Sequence, residues 1–160
     1  MRLHNLLTPM GILAATLVLV GTSCTTAAGP PADRSGVEGN GSVAELRLRW
    51  GQWKATGIRS YRYHLVRTCF CTIETVTPAR VEVRDGVVVD VRALATGQPL
   101  PFAFVPTIDL LFEWAIREAE NDGHVEVTYN PLLSYPIRLV IGTLANDAGV
   151  AYDVTDLVRR

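Results

Sequence analysis

Between Arg2 and Asp33 the chain carries no aspartate, glutamate, lysine or arginine. A stretch of that kind lacks the charged face that a water-soluble domain turns to solvent, so it divides the chain into an apolar leader and a later part that folds. Arg2 and His4 precede the largely apolar run from Leu6 to Val20, and small residues follow it. That layout is the layout of a secretory signal. The segment is also long enough to remain as an uncleaved transmembrane anchor. A third course is cleavage near Ala28 and plain secretion. With Arg2 held inside, all three place the rest of the chain outside the cytoplasmic membrane.

The apolar run ends in Val20-Gly21-Thr22-Ser23-Cys24, which resembles the lipobox of bacterial lipoproteins. The resemblance implies a signal peptide over 1–23. It also implies cleavage before Cys24 and acylation of Cys24 by chains such as palmitate, which would make a membrane anchor. Small residues before the cysteine let an extended backbone enter the peptidase, and the thiol supplies the attachment point. Residues 24–41 then form the lipidated N-terminus and a flexible spacer, because Gly29-Pro30-Pro31 and Gly39-Asn40-Gly41 offer little to bury.

Residues 42–160 are expected to form a single α+β domain. Ser42-Val43-Ala44-Glu45 fits a capping box at a helix start, and Val43, Leu46, Trp50 and Trp53 recur at helical spacing. Ser60 to Thr72 alternates as a strand, with Tyr61, Tyr63, Leu65, Cys69 and Cys71 on one face. A hairpin centres on Asp85-Gly86. The three-residue loop Arg84-Asp85-Gly86 is preferred, because it aligns Val87, Val89 and Val91 with Val81 and Val83. Thr107 caps a second helix whose stripe is Ile108, Leu111, Phe112, Ala115, Ile116 and Ala119, and three further strands follow. The order helix, three strands, helix, three strands suggests antiparallel sheet packed on two helices. It also suggests a duplicated αβββ unit with halves 42–95 and 107–157, a simple meander being the alternative.

Trp50 and Trp53, Ser60-Tyr61-Arg62-Tyr63, Cys69-Phe70-Cys71, Val81 with Val83, and Asp85-Gly86 carry a resemblance, as do the run Thr107 to Phe112, Val127 with Tyr129, and Tyr135-Pro136. Together they resemble a family of uncharacterised bacterial lipoprotein domains, over nearly everything after the spacer. Its most specific element is the Cys-Phe-Cys strand motif. The chain departs from the pattern at Ser134, where glycine is common, and at Gly142, where aspartate is. The resemblance implies location and fold but no activity. The element order is similar in shape to extracytoplasmic PepSY and beta-lactamase-inhibitor-protein domains, some of which bind other proteins.

Few residues point to chemistry. With Cys24 lipidated, Cys69 and Cys71 remain as a pair in a compartment where disulfides persist. Two strand steps span roughly 6.6 Å, near the limit of about 6.8 Å between bonded cysteine α-carbons, so a bond needs a bend or bulge. A local structural disulfide, buried thiols, a redox-active pair and a thiolate metal site all remain open. His64 lies on the opposite strand face and His124 is distant in sequence, so metal ligation is disfavoured and no metal or cofactor is expected. No nucleophile elbow or triad is present, so no catalytic residue is assigned. Trp114 and Phe102, beside a proline-rich loop, form a candidate contact patch for an unknown protein or small-molecule partner. A formal net charge of -1 with dispersed arginines excludes nucleic acid as a partner. The expectation is an extracytoplasmic, membrane-anchored, non-catalytic binding or envelope-associated module. The alternative is a thiol-disulfide redox protein using Cys69 and Cys71.

Overall fold

A computed structural model describes residues 36–39, 41–103, 105–146 and 148–160. Cys24, the apolar leader and the spacer up to residue 35 lie outside the described residues. In chain order the elements are β1 (Val37–Gly39), α1 (Val43–Ala55), β2 (Tyr61–Thr68), α2 (Ile73–Val76), β3 (Ala79–Arg84) and β4 (Val87–Ala93). After these come α3 (Ile108–Glu120), β5 (Val125–Tyr129), β6 (Pro136–Ile141) and β7 (Val150–Arg159). The strands form one antiparallel seven-stranded sheet in the order β1-β5-β6-β7-β2-β3-β4. Each long helix is followed by a three-stranded meander, and the two meanders meet where β7 pairs with β2. The fold is mixed α+β.

Local chemistry sets both long helices. Ser42 caps α1 by accepting from the Glu45 amide at 3.3 Å, and Thr107 caps α3 by accepting from the Leu110 amide at 3.1 Å. The stripe of α3 buries Ile108, Leu111, Phe112, Ala115 and Ile116, while α1 buries Leu46 and Trp53. The helices pack on each other, and α3 lies against β5 and β6. Tyr61, Tyr63, Leu65, Val81, Val83, Val91, Val127, Tyr129, Leu139, Tyr152 and Val154 complete the core from the sheet. The other sheet face is wet and charged. There Glu82 pairs with Arg84, Asp90 with Arg92, Arg138 with Asp153, and His64 with Asp156. A sheet with one buried and one solvated face explains the alternation along β2 and β3.

Aromatic side chains join the layers. Trp53 meets Tyr61 and Tyr135 edge-on at 5.6 and 5.8 Å between centroids, and Phe112 stacks between Trp50 and Tyr129 at 6.3 Å from each. The Asp109 carboxylate accepts from the Trp50 indole at 2.7 Å and from the Trp53 indole at 3.4 Å. The Tyr61 hydroxyl accepts from the Ile108 amide at 2.9 Å, and the Tyr63 hydroxyl donates to the Pro106 carbonyl. The start of α3 is thereby held by both α1 and β2.

Three expectations require correction. The hairpin uses the two-residue loop Asp85-Gly86, with both residues left-handed (φ 50° and 82°). That turn matches the twist of the strands. A bulge between the Val83–Val88 and Glu82–Asp90 pairs then restores Val91 opposite Val81. Val87 and Val89 are consequently exposed, and Val88 packs against the core. Neighbouring chain grips the turn: the Gly86 amide donates to the Arg59 carbonyl, and the Asp85 amide to the Ser60 hydroxyl.

The second correction concerns β2, which ends at Thr68 and not at Thr72, and the unforeseen single turn α2 follows. The third concerns order before Ser42, since Val37–Gly39 pairs with β5. Gly39 has no room for a Cβ beside Tyr129, and Gly41 is left-handed (φ 66°) against the Val125 carbonyl. These glycines serve close approach, not flexibility. Ser134, where the resemblance leads one to expect glycine, is also left-handed (φ 60°) and donates to the Gln52 side-chain oxygen at 2.8 Å.

Burial raises the hydroxyl pKa of all five tyrosines, Tyr61, Tyr63, Tyr129, Tyr135 and Tyr152. A folded-state pKa above the unfolded value means that the unfolded chain loses its protons first as pH rises. The stabilisation is therefore complete below about pH 10 and is lost progressively above it. The melting temperature should fall steeply above about pH 10, with phenolate absorbance appearing together with unfolding. Tyrosines that ionise near their ordinary value in a chain that stays folded would contradict this.

Candidate functional site

At the end of β2 the backbone bends through Cys69 and Phe70, and Cys69 and Cys71 form a disulfide. Their α-carbons are 5.3 Å apart, closer than two straight strand steps of roughly 6.6 Å. The bend makes the bond geometrically accessible. Cys69 is half-buried and Cys71 exposed. The loop pushes two large apolar side chains into solvent, Phe70 at 86% exposure and Ile73 at 71%.

Two residues before this loop lies a residue that sequence reasoning passed over. Arg67 falls in the inward row with Tyr61, Tyr63 and Leu65, and it is 7% exposed. Among the described residues it is the only charged side chain that is buried. Its strand partner on β7 is Tyr152, and the guanidinium carbon sits 5.2 Å from the centre of that ring. Trp114 of α3 also packs on Tyr152, with ring centroids 5.6 Å apart. Burial pushes the Tyr152 hydroxyl pKa up, while the charge of Arg67 and its hydrogen bond oppose the rise. The signal was available in the parity of β2. A charge in an inward row is costly to bury, and that is the reason to suspect a role for it.

Two cavities share Arg67, Thr72 and Thr75 in their walls. The larger, about 470 Å³, is further lined by the Cys69–Cys71 bond, Trp114, Val150 and Tyr152. The smaller, about 220 Å³, runs between β2 and the loop after β4, where Leu65, Ala79, Val91, Leu100 and Val105 supply apolar walls. Glu74 stands at its fully exposed rim, and its carboxyl lies below the usual range because its own backbone amide and Thr72 hydrogen-bond to it.

The remaining candidates are dispersed. Trp114 belongs to the larger cavity, whereas Phe102 stays 53% exposed on the loop whose Leu100, Pro101 and Ala103 line the smaller one. His64 Nδ1 lies 2.9 Å from Asp156, and His124 Nε2 lies 2.9 Å from Glu126, both on the surface. Among the described residues no group of three or more histidine, cysteine or acidic side chains is arranged to hold a metal. No helix among them is long and apolar enough to cross a membrane. A second recess, about 470 Å³, lies at the opposite end between Trp50, Arg59, Asp85, Asp109 and Glu113. Its central acid, Asp109, is occupied by the two indole donors.

A bond that closes so short a loop removes little freedom from the unfolded chain, about 1.5 kcal/mol of chain entropy for three residues. The Cys69→Ser, Cys71→Ser double variant should therefore keep the fold and lose about 1–2 kcal/mol in denaturant unfolding. A variant that does not fold would show that the bend depends on the bond.

No curated protein and no solved structure matches the chain significantly. Residues 45–159 match a family whose description is a family of unknown function, DUF6174. That span takes in α1 from Glu45 onward, all of α3, the disulfide loop and every strand after β1. The chain belongs to the uncharacterised family DUF6174.

Proposed function

We propose that the chain is an exported bacterial lipoprotein, anchored through Cys24, whose domain outside the cytoplasmic membrane is a non-catalytic binding module. Its binding site is the groove beside Cys69 and Cys71. The observation that carries the reading is the disulfide lining a cavity that shares Arg67, Thr72 and Thr75 with a second, adjoining one. Disulfides persist in oxidising compartments, which supports the export read from the leader. The walls of the larger cavity offer one arginine, two threonine hydroxyls and apolar surface, and among the described residues no histidine or carboxylate lines it. Such a lining suits recognition better than proton transfer.

The domain itself reads as a duplicated αβββ unit, 42–95 and 107–157. The repeated element order and the side-by-side meanders support that reading. Exposure of Cys71 favours a second function, thiol–disulfide exchange. In it a partner dithiol would be oxidised as the Cys69–Cys71 bond takes up two electrons and two protons.

The chain expressed in its bacterial host should be recovered in the membrane fraction, carry acyl mass on Cys24 and be digested by protease added outside the cytoplasmic membrane. Cys24→Ala should abolish the acyl mass. An unmodified chain in the cytoplasmic fraction would contradict the proposal, as would a turnover activity removed by a single substitution in the groove.

A further inference from the structure

The chemistry of the two cavities narrows the ligand. Arg67 is planted in a wall common to both, so a molecule entering either meets the same guanidinium. In the larger cavity it is the only charged lining residue among those described, and its neighbours there are Trp114, Tyr152, Val150 and the disulfide. A cation in a wall of low polarity acts through a weakened dielectric, so it discriminates strongly by ligand charge. A guanidinium also presents a planar fork of donors that matches the two oxygens of a carboxylate. The hydroxyls of Thr72 and Thr75, bonded to each other at 3.1 Å, add polar surface in the same shared wall.

Size and shape limit the rest of the molecule. A volume of about 470 Å³ falls in the lower part of the range of roughly 300–1,000 Å³ that holds small organic ligands. The Trp114–Tyr152 pair offers an aromatic wall of two tilted rings, and the smaller cavity continues with aliphatic walls from Leu65, Val91 and Leu100. An apolar body therefore fits on either side of the arginine.

We propose that this groove binds a small amphipathic monocarboxylate, with its carboxylate on Arg67 and its apolar body against the wall that Trp114 and Tyr152 form. The assignment rests on the binding-module reading above and sharpens it to one class of ligand. Thr75, half-buried on α2, lines both cavities and is not part of the core, so a large side chain there fills the groove.

The test uses the full chain reconstituted in lipid nanodiscs. It is titrated calorimetrically with 4-phenylbutyrate, 4-phenylbutanol and 4-phenylbutylamine, and heats from empty discs are subtracted. The carboxylate should bind about tenfold or more tightly than the alcohol, the margin that one charge-assisted hydrogen bond confers, and the amine should bind weakest. Arg67→Gln should bring the carboxylate down to the level of the alcohol, and Thr75→Trp should abolish binding of all three. Equal binding of the three probes, all lost in Thr75→Trp, would overturn the carboxylate assignment and leave the groove as a binding site. Absence of any binding, or binding that survives Thr75→Trp, would overturn the groove as well. Should Arg67→Gln not fold, the head-group comparison in the unsubstituted chain decides the assignment alone.

Discussion

The carboxylate of Asp109 joins two helices that are far apart in sequence. It lies in the first turn of α3, where the helix dipole favours a negative charge. From there it accepts from Trp50 at 2.7 Å and Trp53 at 3.4 Å, both on α1. The shorter bond carries most of the effect, since a hydrogen bond to an ionised acceptor contributes about 1.5–3 kcal/mol when water is excluded. Behind it, the Tyr61 hydroxyl satisfies the Ile108 amide, one of the donors that every helix start leaves without a partner. The two indoles also carry the aromatic contacts of the core, so the same residues fix both the angle of α1 on α3 and the depth of β2 beneath them.

That arrangement gives the two ends of the domain different characters. At the Trp50 end the Asp109 carboxylate is taken up in holding the helices. At the Cys69 end an arginine is buried beside open space, apolar side chains stand in solvent, and a disulfide replaces regular pairing. Neither character comes from the family match, which carries no activity. The assignment of structure to one end and binding to the other follows from where the buried arginine and the disulfide stand.

Much of this was legible in the residues. Ser42 and Thr107 announced the helix starts, because a capping hydroxyl is a local requirement that tertiary structure rarely overrides. The stripe of α3 and the inward row of β2 followed from periodicity alone. The hairpin at Asp85-Gly86 was misread because valine is apolar on either face. Pattern favoured Val87 and Val89 inside, whereas turn geometry, held by Arg59 and Ser60, set the register and a bulge corrected it. Gly39 and Gly41 look like spacer by composition, and only the surface of β5 reveals that they are packed. Arg67 was missed because an inward arginine contradicts simple patterning, and that contradiction marked the site.

The most direct measurement is amide hydrogen exchange of the full chain in nanodiscs, with and without saturating 4-phenylbutyrate. The account predicts slowed exchange confined to the Cys69 end, in residues 67–77 and around Trp114 and Tyr152, with the junction of Trp50, Trp53 and Asp109 unchanged. Protection centred on Trp50, Trp53 and Asp109 instead would place binding at the opposite end and contradict it.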